Sequence, residues 1–314
     1  MTKPSGSVGA GRRLGVDVGG TKCLGVVIDA DDRVVVDLQC PTPRGVGSSD
    51  RLIDQLAELV ASLTAAAGEV DSVGIGLPGL VTRDGVLRAA PNLDEIDDLP
   101  ARMLLEQRLG RPVHVDNDAT CATIAEWQVG AGRGVDDLIL ITLGTGIGGG
   151  LVSAGALHRG ANGFAGEFGH MTVDPNGPAC PCGRRGCWER FASGTGLVHL
   201  ASGIEIAGGV PTRGEQIVNA ASDGNVAAQS VIDEVARWTA IGLAGLINAF
   251  DPSVVLIGGG FGAALPTFIP SVERHLHEVI YQPEQRDLPV VKAAALGAQA
   301  GSIGAALLAD AVNR

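Results

Sequence analysis

The stretch Leu14-Gly-Val-Asp-Val-Gly-Gly-Thr-Lys-Cys-Leu-Gly-Val-Val-Ile-Asp29 places two glycines between two short apolar runs. Short runs rich in β-branched residues predict strands, and the glycine turn predicts that these two strands form a hairpin. The same order returns about 125 residues later, where Leu138–Leu143 leads into Gly144–Gly150 and on to Leu151 and Val152. The repeated strand, glycine turn and strand predict two related lobes.

Further strands and helices alternate along the rest of the chain. Arg33–Leu38 adds a third strand and makes the first hairpin an antiparallel meander. The other predicted elements are helices around 52–63, Pro100–Leu109, Ala119–Trp127, Val231–Ala249 and Ala294–Leu308, and strands at Ser72–Ile75, Val113–Val115 and Val254–Ile257. This alternation predicts an α/β fold. A length of 314 residues favours two domains over one core.

The composition excludes several functional classes. The formal charge of −12, with no basic stripe, argues against a nucleic-acid partner. No apolar stretch reaches the roughly 20 residues that span a bilayer, so no membrane partner is expected. Residues 1–13 are polar and glycine-rich and predict a disordered tail rather than a signal peptide. The sequence therefore predicts a cytoplasmic protein.

The first glycine turn, Gly19-Gly20-Thr21-Lys22, follows Asp17 closely. Glycines let the backbone N–H groups face an anion, Thr21 adds a hydroxyl group and Lys22 a positive charge. Asp17 is a candidate to hold a magnesium-bound water. The spacing matches neither a Rossmann fingerprint nor a P-loop. A plain hairpin turn is the alternative interpretation, since it explains the glycines alone.

Two further glycine clusters follow apolar strands. The second glycine turn, Gly144-Thr145-Gly146, begins a run of five glycines in seven positions, for which close approach of a polyphosphate is the favoured explanation. A glycine-rich hairpin is the alternative. Gly258, Gly259 and Gly260 open a helix and are a weaker signal for nucleotide binding.

The pair Asn117-Asp118 stands where a predicted strand gives way to a helix. A helix N-cap formed by Asp116 or Asp118 is the structural interpretation. The functional interpretation makes one carboxylate a general base that accepts the proton of a substrate hydroxyl group. The residues alone leave these two interpretations open.

The most specific pattern is the cysteine loop, residues 170–187. His170, Cys180, Cys182 and Cys187 supply the donors of a closed Cys3His zinc site, which is structural because no position stays open. Chance clustering is the alternative, and a redox pair is disfavoured by the C-x-C spacing. Glu167 and Glu189 flank this loop and are either solvated glutamates or acceptors for sugar hydroxyl groups. His170 has a second ring nitrogen, which is free to donate to such a hydroxyl group.

Together these motifs resemble the ROK family (repressors, open reading frames and kinases) from about Leu14 to Leu308, and most closely its bacterial glucokinases. The resemblance is carried by DVGGTK at 17–22, ND at 117–118, LGTGIGGG at 143–150, EFGH at 167–170 and CPCGRRGCWE at 180–189. It implies the actin-like ATPase (sugar kinase/Hsp70-type) fold, with two α/β lobes around a cleft. The expected lobes are 14–117 plus about 298–314, and 118–297 with the cysteine loop.

The resemblance also implies an activity, the transfer of the ATP γ-phosphoryl group to the 6-hydroxyl of glucose in glycolysis. Asp118 is the implied catalytic base, and magnesium accompanies ATP. The implied sugar contacts are Asn92, Asn117, Asp118, Glu167, His170 and Glu189. The implied ATP contacts are Asp17, Gly19, Gly20, Thr21, Lys22, Gly144, Thr145, Gly146 and Gly258 to Gly260. Relatives are commonly homodimers or homotetramers, and the same is expected here.

The alternatives are a kinase for another hexose or N-acetylhexosamine, a glucokinase that uses polyphosphate, and a non-catalytic sugar-sensing regulator. The regulators of the family carry an N-terminal DNA-binding segment of some 80 residues, whereas about 13 residues precede the first strand here. One departure concerns the sugar site. Many relatives carry a tryptophan after the position of Asn92, where this chain reads Leu-Asp-Glu-Ile-Asp-Asp.

Overall fold

Both predicted hairpins are present in the computed structural model, which describes residues 11–90, 93, 96–206, 209–262 and 266–309. The described residues divide into two compact units. The first unit runs to Ala125 and also takes in Arg159–Phe164 and the residues from Gln299 onward. The second unit comprises Glu126–His158 and Ala165–Ala298.

The first unit contains a five-stranded sheet in the order β3-β2-β1-β4-β7. Its elements are β1 (Arg13–Val18), β2 (Lys22–Ile28), β3 (Val34–Pro41), α1 (Ser48–Ala67), β4 (Ser72–Leu77), β5 (Leu80–Val81), β6 (Leu87–Ala89), α2 (Ala101–Leu109), β7 (His114–Asn117) and the start of α3 (Asp118–Gln128). Strands β1, β2 and β3 are antiparallel, which confirms the predicted meander. Strands β4 and β7 extend the sheet in parallel with β1.

Helix α1 packs its apolar face on this sheet. Leu52, Leu56 and Leu63, part of the predicted apolar stripe, are buried together with Val16 and Val27 in one core. Each such side chain contributes on the order of 2 kcal/mol when it leaves water. The apolar periodicity that predicted the helix is therefore also what attaches the helix to the sheet.

The closing helix α10 (Ala300–Ala306) belongs to the first unit and packs against β1 and β4. A β-carbon at Gly15 would lie 2.0 Å from the carbonyl oxygen of Ser302, and one at Gly74 would lie 1.8 Å from that of Ala305. Backbone therefore meets backbone here, which explains the small residues of this helix. The predicted start at Ala294 was wrong, because a strand ends at Ala293 and a 3-10 turn precedes Ala300.

The second unit contains a five-stranded sheet in the order β10-β9-β8-β11-β12. Its elements are β8 (Leu138–Leu143), β9 (Ile147–Ser153), β10 (Ala156–Leu157), α4 (Glu189–Ala192), α5 (Gly194–Leu200), α6 (Gly214–Ser222), α7 (Val226–Phe250), β11 (Val254–Gly258), α8 (Gly259–Gly262), α9 (Phe268–Val279) and β12 (Val290–Ala293). Three antiparallel strands are again followed by two parallel ones. The predicted internal repeat is thus confirmed at the level of sheet topology.

Trp188 joins the cysteine loop to the core of the second unit. Its ring is fully buried and lies against Gly242 of α7, where a β-carbon would come within 2.0 Å of the indole. The indole N–H donates to the carbonyl oxygen of Trp238 at 2.8 Å. The backbone of the following residue, Glu189, is therefore anchored to the core of the second unit.

The chain passes between the units inside α3, whose last three residues group with the second unit. The sequence predicts that the first lobe ends at residue 117. In the structure the first unit extends to Ala125, because α3 follows β7 directly and most of it packs with that unit. Of the expected tail, residues 1–10 lie outside the described residues, and Arg13 begins β1. Among the described helices, none is long and apolar enough to cross a bilayer.

Candidate active site

In the first unit, the carboxyl ends of three parallel strands bring the candidate acidic residues together. Asp17 on β1 is aligned with Gly76 on β4, and Gly76 with Asp116 on β7. A β-carbon at Gly76 would lie 3.4 Å from the Cα of Asp118 and 3.6 Å from Oδ1 of Asp17. Asp17 and Asp118 therefore both lie close to Gly76, at the carboxyl end of β4.

Asp17 carries a perturbed carboxyl group. Burial raises its pKa to about 6, and the nearby charge of Lys22 opposes this shift. One wall is Gly301 of α10, where a β-carbon would lie 2.5 Å from the Cγ of Asp17. A buried carboxylate of this kind is a candidate to hold a cation or a water bound to one.

The first glycine turn is held in place by residues after β3. The Gly19 N–H donates to the carbonyl oxygen of Lys22 at 2.9 Å. The Thr42 hydroxyl group donates to the carbonyl oxygen of Gly19 at 2.7 Å, and the Arg44 guanidinium donates to that of Gly20. The side chain of Lys22 is exposed beside this braced turn.

Asn117 caps helix α3. Its Oδ1 accepts the N–H of Thr120, three residues on, at 2.9 Å, and its Nδ2 donates to the carbonyl oxygen of Gly79 at 3.1 Å. The interpretation that made Asp116 or Asp118 the N-cap was wrong, because the amide of Asn117 fills that position. Asp118 is the first residue of the helix, and its Oδ1 accepts the N–H of Ala119 at 2.8 Å.

Sequence reasoning missed the partner of Asp116. Oδ2 of this buried carboxylate accepts from Nε of Arg159 at 2.7 Å, across 43 positions of sequence. Its Oδ1 accepts the N–H of Asn117 at 2.9 Å. No spacing signal links the two residues, because a loop brings Arg159 to β7 from another part of the chain.

In the second unit, Glu189 is bound to the second glycine turn. Its Oε2 accepts the N–H of Ile147 at 3.0 Å. A β-carbon at Gly146 would lie 2.1 Å from the same oxygen. Glu189 is therefore a positioned carboxylate and not a freely solvated one, and a side chain at position 146 would displace it.

Glu167 is placed by the glycines of β9. The ring of Phe168 lies against Gly149, where a β-carbon would come within 2.6 Å of it, and one at Gly166 would lie 2.4 Å from the carbonyl oxygen of Gly149. Protein packing thus accounts for part of the glycine run that was ascribed to a polyphosphate. Burial raises the pKa of Glu167, while the charge of His170 lowers it and that of Glu189 raises it further.

The four residues of the cysteine loop converge. The ligand atoms of His170, Cys180, Cys182 and Cys187 all lie within 4.8 Å of one another. The Sγ atoms of Cys182 and Cys187 are 3.6 Å apart, and Nδ1 of His170 is 3.9 Å from Sγ of Cys180. A tetrahedral zinc with Zn–S bonds of about 2.3 Å requires sulfurs roughly 3.8 Å apart, so the donor set fits the metal.

The third glycine cluster lies where β11 ends and α8 begins. Gly259 has a φ of +86°, and a β-carbon there would lie 2.3 Å from the carbonyl oxygen of Leu143. A side chain at position 259 would therefore collide with the backbone of Leu143. Asn92, the remaining expected sugar contact, lies outside the described residues.

Comparison with known proteins decides the family. The family model described as "ROK family" matches residues 13–312, almost the whole chain. The chain belongs to the ROK family. Membership confirms the predicted actin-like ATPase fold, in agreement with the mixed α/β sheets described above.

Three relatives illustrate its place among ROK proteins. A glucokinase of Streptomyces coelicolor is 36% identical over 314 residues, which cover 95% of this chain and 98% of the relative. An N-acetylmannosamine kinase of Escherichia coli O127:H6 is 37% identical over 299 residues, with 95% and 98% covered. The crystal structure of a ROK family glucokinase from Streptomyces griseus with glucose and AMPPNP has a TM-score of 0.85 at 37% identity, covering 95% of this chain and 99% of that one.

Proposed function

We propose that this chain is an ATP-dependent glucokinase that phosphorylates the 6-hydroxyl group of glucose. The observation that carries the proposal is the placement of Asp118 beside Asp17 at one edge of the first sheet. Phosphoryl transfer needs a positioned base and a cation site within reach of each other. Similarity to glucokinases over nearly the whole chain supports the choice of reaction.

Asp118 is proposed as the general base. It occupies the first position of α3, at the positive end of the helix. Its backbone is fixed on one side by the cap at Asn117. A carboxylate held in place in this way is suited to accept the proton of a hydroxyl group as that group attacks phosphorus.

Asp17 and the first glycine turn are proposed to bind the phosphates of ATP. Lys22 supplies a positive charge, and Gly20 and Thr21 supply backbone and hydroxyl donors, while the Gly19 N–H closes the turn onto Lys22. Magnesium bound with ATP neutralises charge on the transferring group. Asp17 would hold a water bound to that ion. Gly144, Thr145, Gly146 and Gly258 to Gly260 are proposed as further nucleotide contacts.

The hexose contacts are proposed to be Asn92, Asn117, Glu167, His170 and Glu189, together with Asp118. The Asn117 amide donates one hydrogen to the carbonyl oxygen of Gly79 and accepts one bond from the N–H of Thr120. A second amide hydrogen and a second lone pair therefore remain for a sugar. Carboxylates and amides are the groups that recognise hydroxyl groups with directional hydrogen bonds.

His170, Cys180, Cys182 and Cys187 are proposed to hold a structural zinc ion. Nδ1 of His170 faces the sulfurs, so Nε2 remains for a sugar hydroxyl group. The ion would fix the loop between Glu167 and Glu189. We further propose a cytoplasmic enzyme of glycolysis that acts as a homodimer or homotetramer, as relatives commonly do.

An assay of ADP release across a hexose panel tests the proposal. We expect the highest kcat/KM with glucose and ATP, and weaker activity with mannose, fructose and N-acetylmannosamine. The second candidate is an N-acetylmannosamine kinase, which similarity at 37% identity favours. A higher kcat/KM for N-acetylmannosamine would select it. Phosphoryl transfer from polyphosphate without ATP would revise the donor, and no transfer to any sugar would contradict kinase function.

A further inference from the structure

Asp116 is the central acceptor of a small buried network. The carboxylate side chain is 10% exposed and that of Arg159 is 19% exposed. Oδ2 of Asp116 accepts a hydrogen bond from Nε of Arg159 at 2.7 Å, and Oδ1 accepts one from the backbone N–H of Asn117 at 2.9 Å. The position of the Asn117 backbone thus depends on where Arg159 holds Asp116.

The buried ion pair between Asp116 and Arg159 stabilises the fold less than apolar side chains in the same space would. Within the described part of the chain, Nη2 of Arg159 is buried and meets no hydrogen-bond acceptor. Burying a guanidinium that keeps an unpaired donor costs stability, and apolar side chains of similar volume often replace buried ion pairs without loss. Packing alone therefore does not explain an arginine here.

Arg159 opens the segment Arg159–Phe164, which groups with the first unit. The segment is fixed independently of the ion pair. The guanidinium of Arg83 donates from Nε to the carbonyl oxygen of Gly160 at 3.0 Å, and a β-carbon at Gly163 would lie 2.6 Å from the carbonyl oxygen of Val81. Arg159 therefore meets Asp116 from a braced backbone.

We propose that Arg159 and Asp116 are positioning residues that set the geometry of the Asn117-Asp118 pair. Neither residue needs to touch the hexose. The guanidinium fixes the carboxylate, the carboxylate fixes the Asn117 N–H, and the amide of Asn117 caps the helix that begins with Asp118. The expected effect on kcat rests on the proposed function. The expected effect on the backbone of residues 114–122 rests on the structure alone.

The kinetic test compares Arg159→Met with Arg159→Lys and Arg83→Met. Displacing a base by a fraction of an ångström to one ångström costs catalysis, so Arg159→Met should lower kcat for glucose phosphorylation about 10- to 100-fold. The KM for glucose should change far less. Arg159→Lys keeps the charge and should recover part of kcat. Arg83→Met loosens the same segment but leaves Asp116 paired, so it should keep kcat near the parent value.

Asp116→Asn and the double variant Arg159→Met/Asp116→Asn complete a cycle. If the residues act through each other, the double variant should be little worse than the poorer single variant. Additive losses in kcat, or an equal loss in Arg83→Met, would contradict the inference.

A second readout does not depend on activity. Hydrogen exchange of the peptide covering 114–122 should be faster in Arg159→Met than in the parent and in Arg83→Met, because the Asn117 and Thr120 amides lose their fixed acceptors. Unchanged exchange would overturn the positioning role whatever the kinetics. Faster exchange in Arg159→Met, combined with a parent protein that phosphorylates no hexose, would retain the positioning network and reject the proposed function instead.

Discussion

Gly146 lies directly beneath the carboxylate of Glu189. A β-carbon at Gly146 would come within 2.1 Å of Oε2, and the next residue, Ile147, donates its N–H to that oxygen at 3.0 Å. The second glycine turn therefore has a role that its sequence did not reveal. It makes room for, and binds, a carboxylate proposed to contact the hexose.

Gly146→Ala should displace Glu189 and break its bond to Ile147. We expect the KM for glucose to rise about tenfold, the equivalent of one lost hydrogen bond, with a smaller change in the KM for ATP. Steady-state kinetics with each substrate varied in turn measures this. Gly144→Ala is the comparison, because its β-carbon would meet no atom within 4 Å and the Glu189 bond stays intact. Equal glucose KM values in both variants would refute the role of Gly146.

Asp17→Asn should stabilise the protein at neutral pH while it impairs catalysis. The pKa of Asp17 rises from 3.8 to about 6 on folding, so the folded state binds this proton more tightly than the unfolded chain. Stability is therefore lost as pH rises through this window, by about 2–3 kcal/mol at pH 7. Asparagine resembles the protonated carboxyl group and removes the loss.

Urea unfolding of the parent and Asp17→Asn at pH 7.5 and near pH 4 measures the stability effect. The gain should be present at pH 7.5 and largely absent near pH 4, where the parent carboxyl is protonated. The KM for Mg-ATP should rise or kcat should fall in the variant. A variant that is less stable at pH 7.5 would show that Asp17 is not a buried, strained carboxylate.

Cys187→Ser should remove a zinc ligand. We expect one zinc per chain in the parent and substoichiometric zinc in the variant, measured by elemental analysis of dialysed protein. The loss of stability should greatly exceed the roughly 0.5 kcal/mol of an ordinary surface substitution. Cys40→Ser, at a half-buried cysteine outside the cluster, is the matched control and should retain the metal. A parent protein without zinc would refute this site.

Glu126 is a fully buried carboxylate that sequence reasoning did not single out. It accepts the N–H groups of Ala131 at 2.9 Å, Ala295 at 3.0 Å and Leu296 at 2.7 Å. Glu126→Gln turns one acceptor into a donor that faces other donors, so the free energy of unfolding should fall by about 2–4 kcal/mol. Chemical denaturation measures it. Glu58→Gln, on the exposed face of α1, should change stability by less than about 0.5 kcal/mol, and an equal effect of both would contradict the role of Glu126.

Much of the fold was predictable because local patterns determine it. Apolar runs and glycine turns predict the hairpins that begin with β1 and β8, and the apolar stripe predicts α1. Helices α4, α5, α6 and α9, strand β12 and the short strands β5, β6 and β10 were not predicted. These three short strands have only two or three residues each, too few for a period-two pattern to appear.

The site was predictable where its residues form sequence motifs. Spacing alone brought the cysteine loop together, and the four ligand atoms do converge. The Asp116–Arg159 pair and the bonds from Glu126 to the amides of Ala295 and Leu296 were not predictable, because they join distant parts of the chain. The same holds for Gly146 and Gly149, whose purpose depends on side chains that arrive later in the sequence.

The central claim is that Asp118 is the base of a glucose kinase, and Asp118→Asn tests it most directly. The variant should bind glucose with a Kd near the parent value in calorimetry, while kcat falls by at least about 100-fold, the usual contribution of a general base. Asp37→Asn, on the exposed face of β3, is the control and should match the parent. A kcat for Asp118→Asn within a few-fold of the parent, with glucose still bound, would contradict the account.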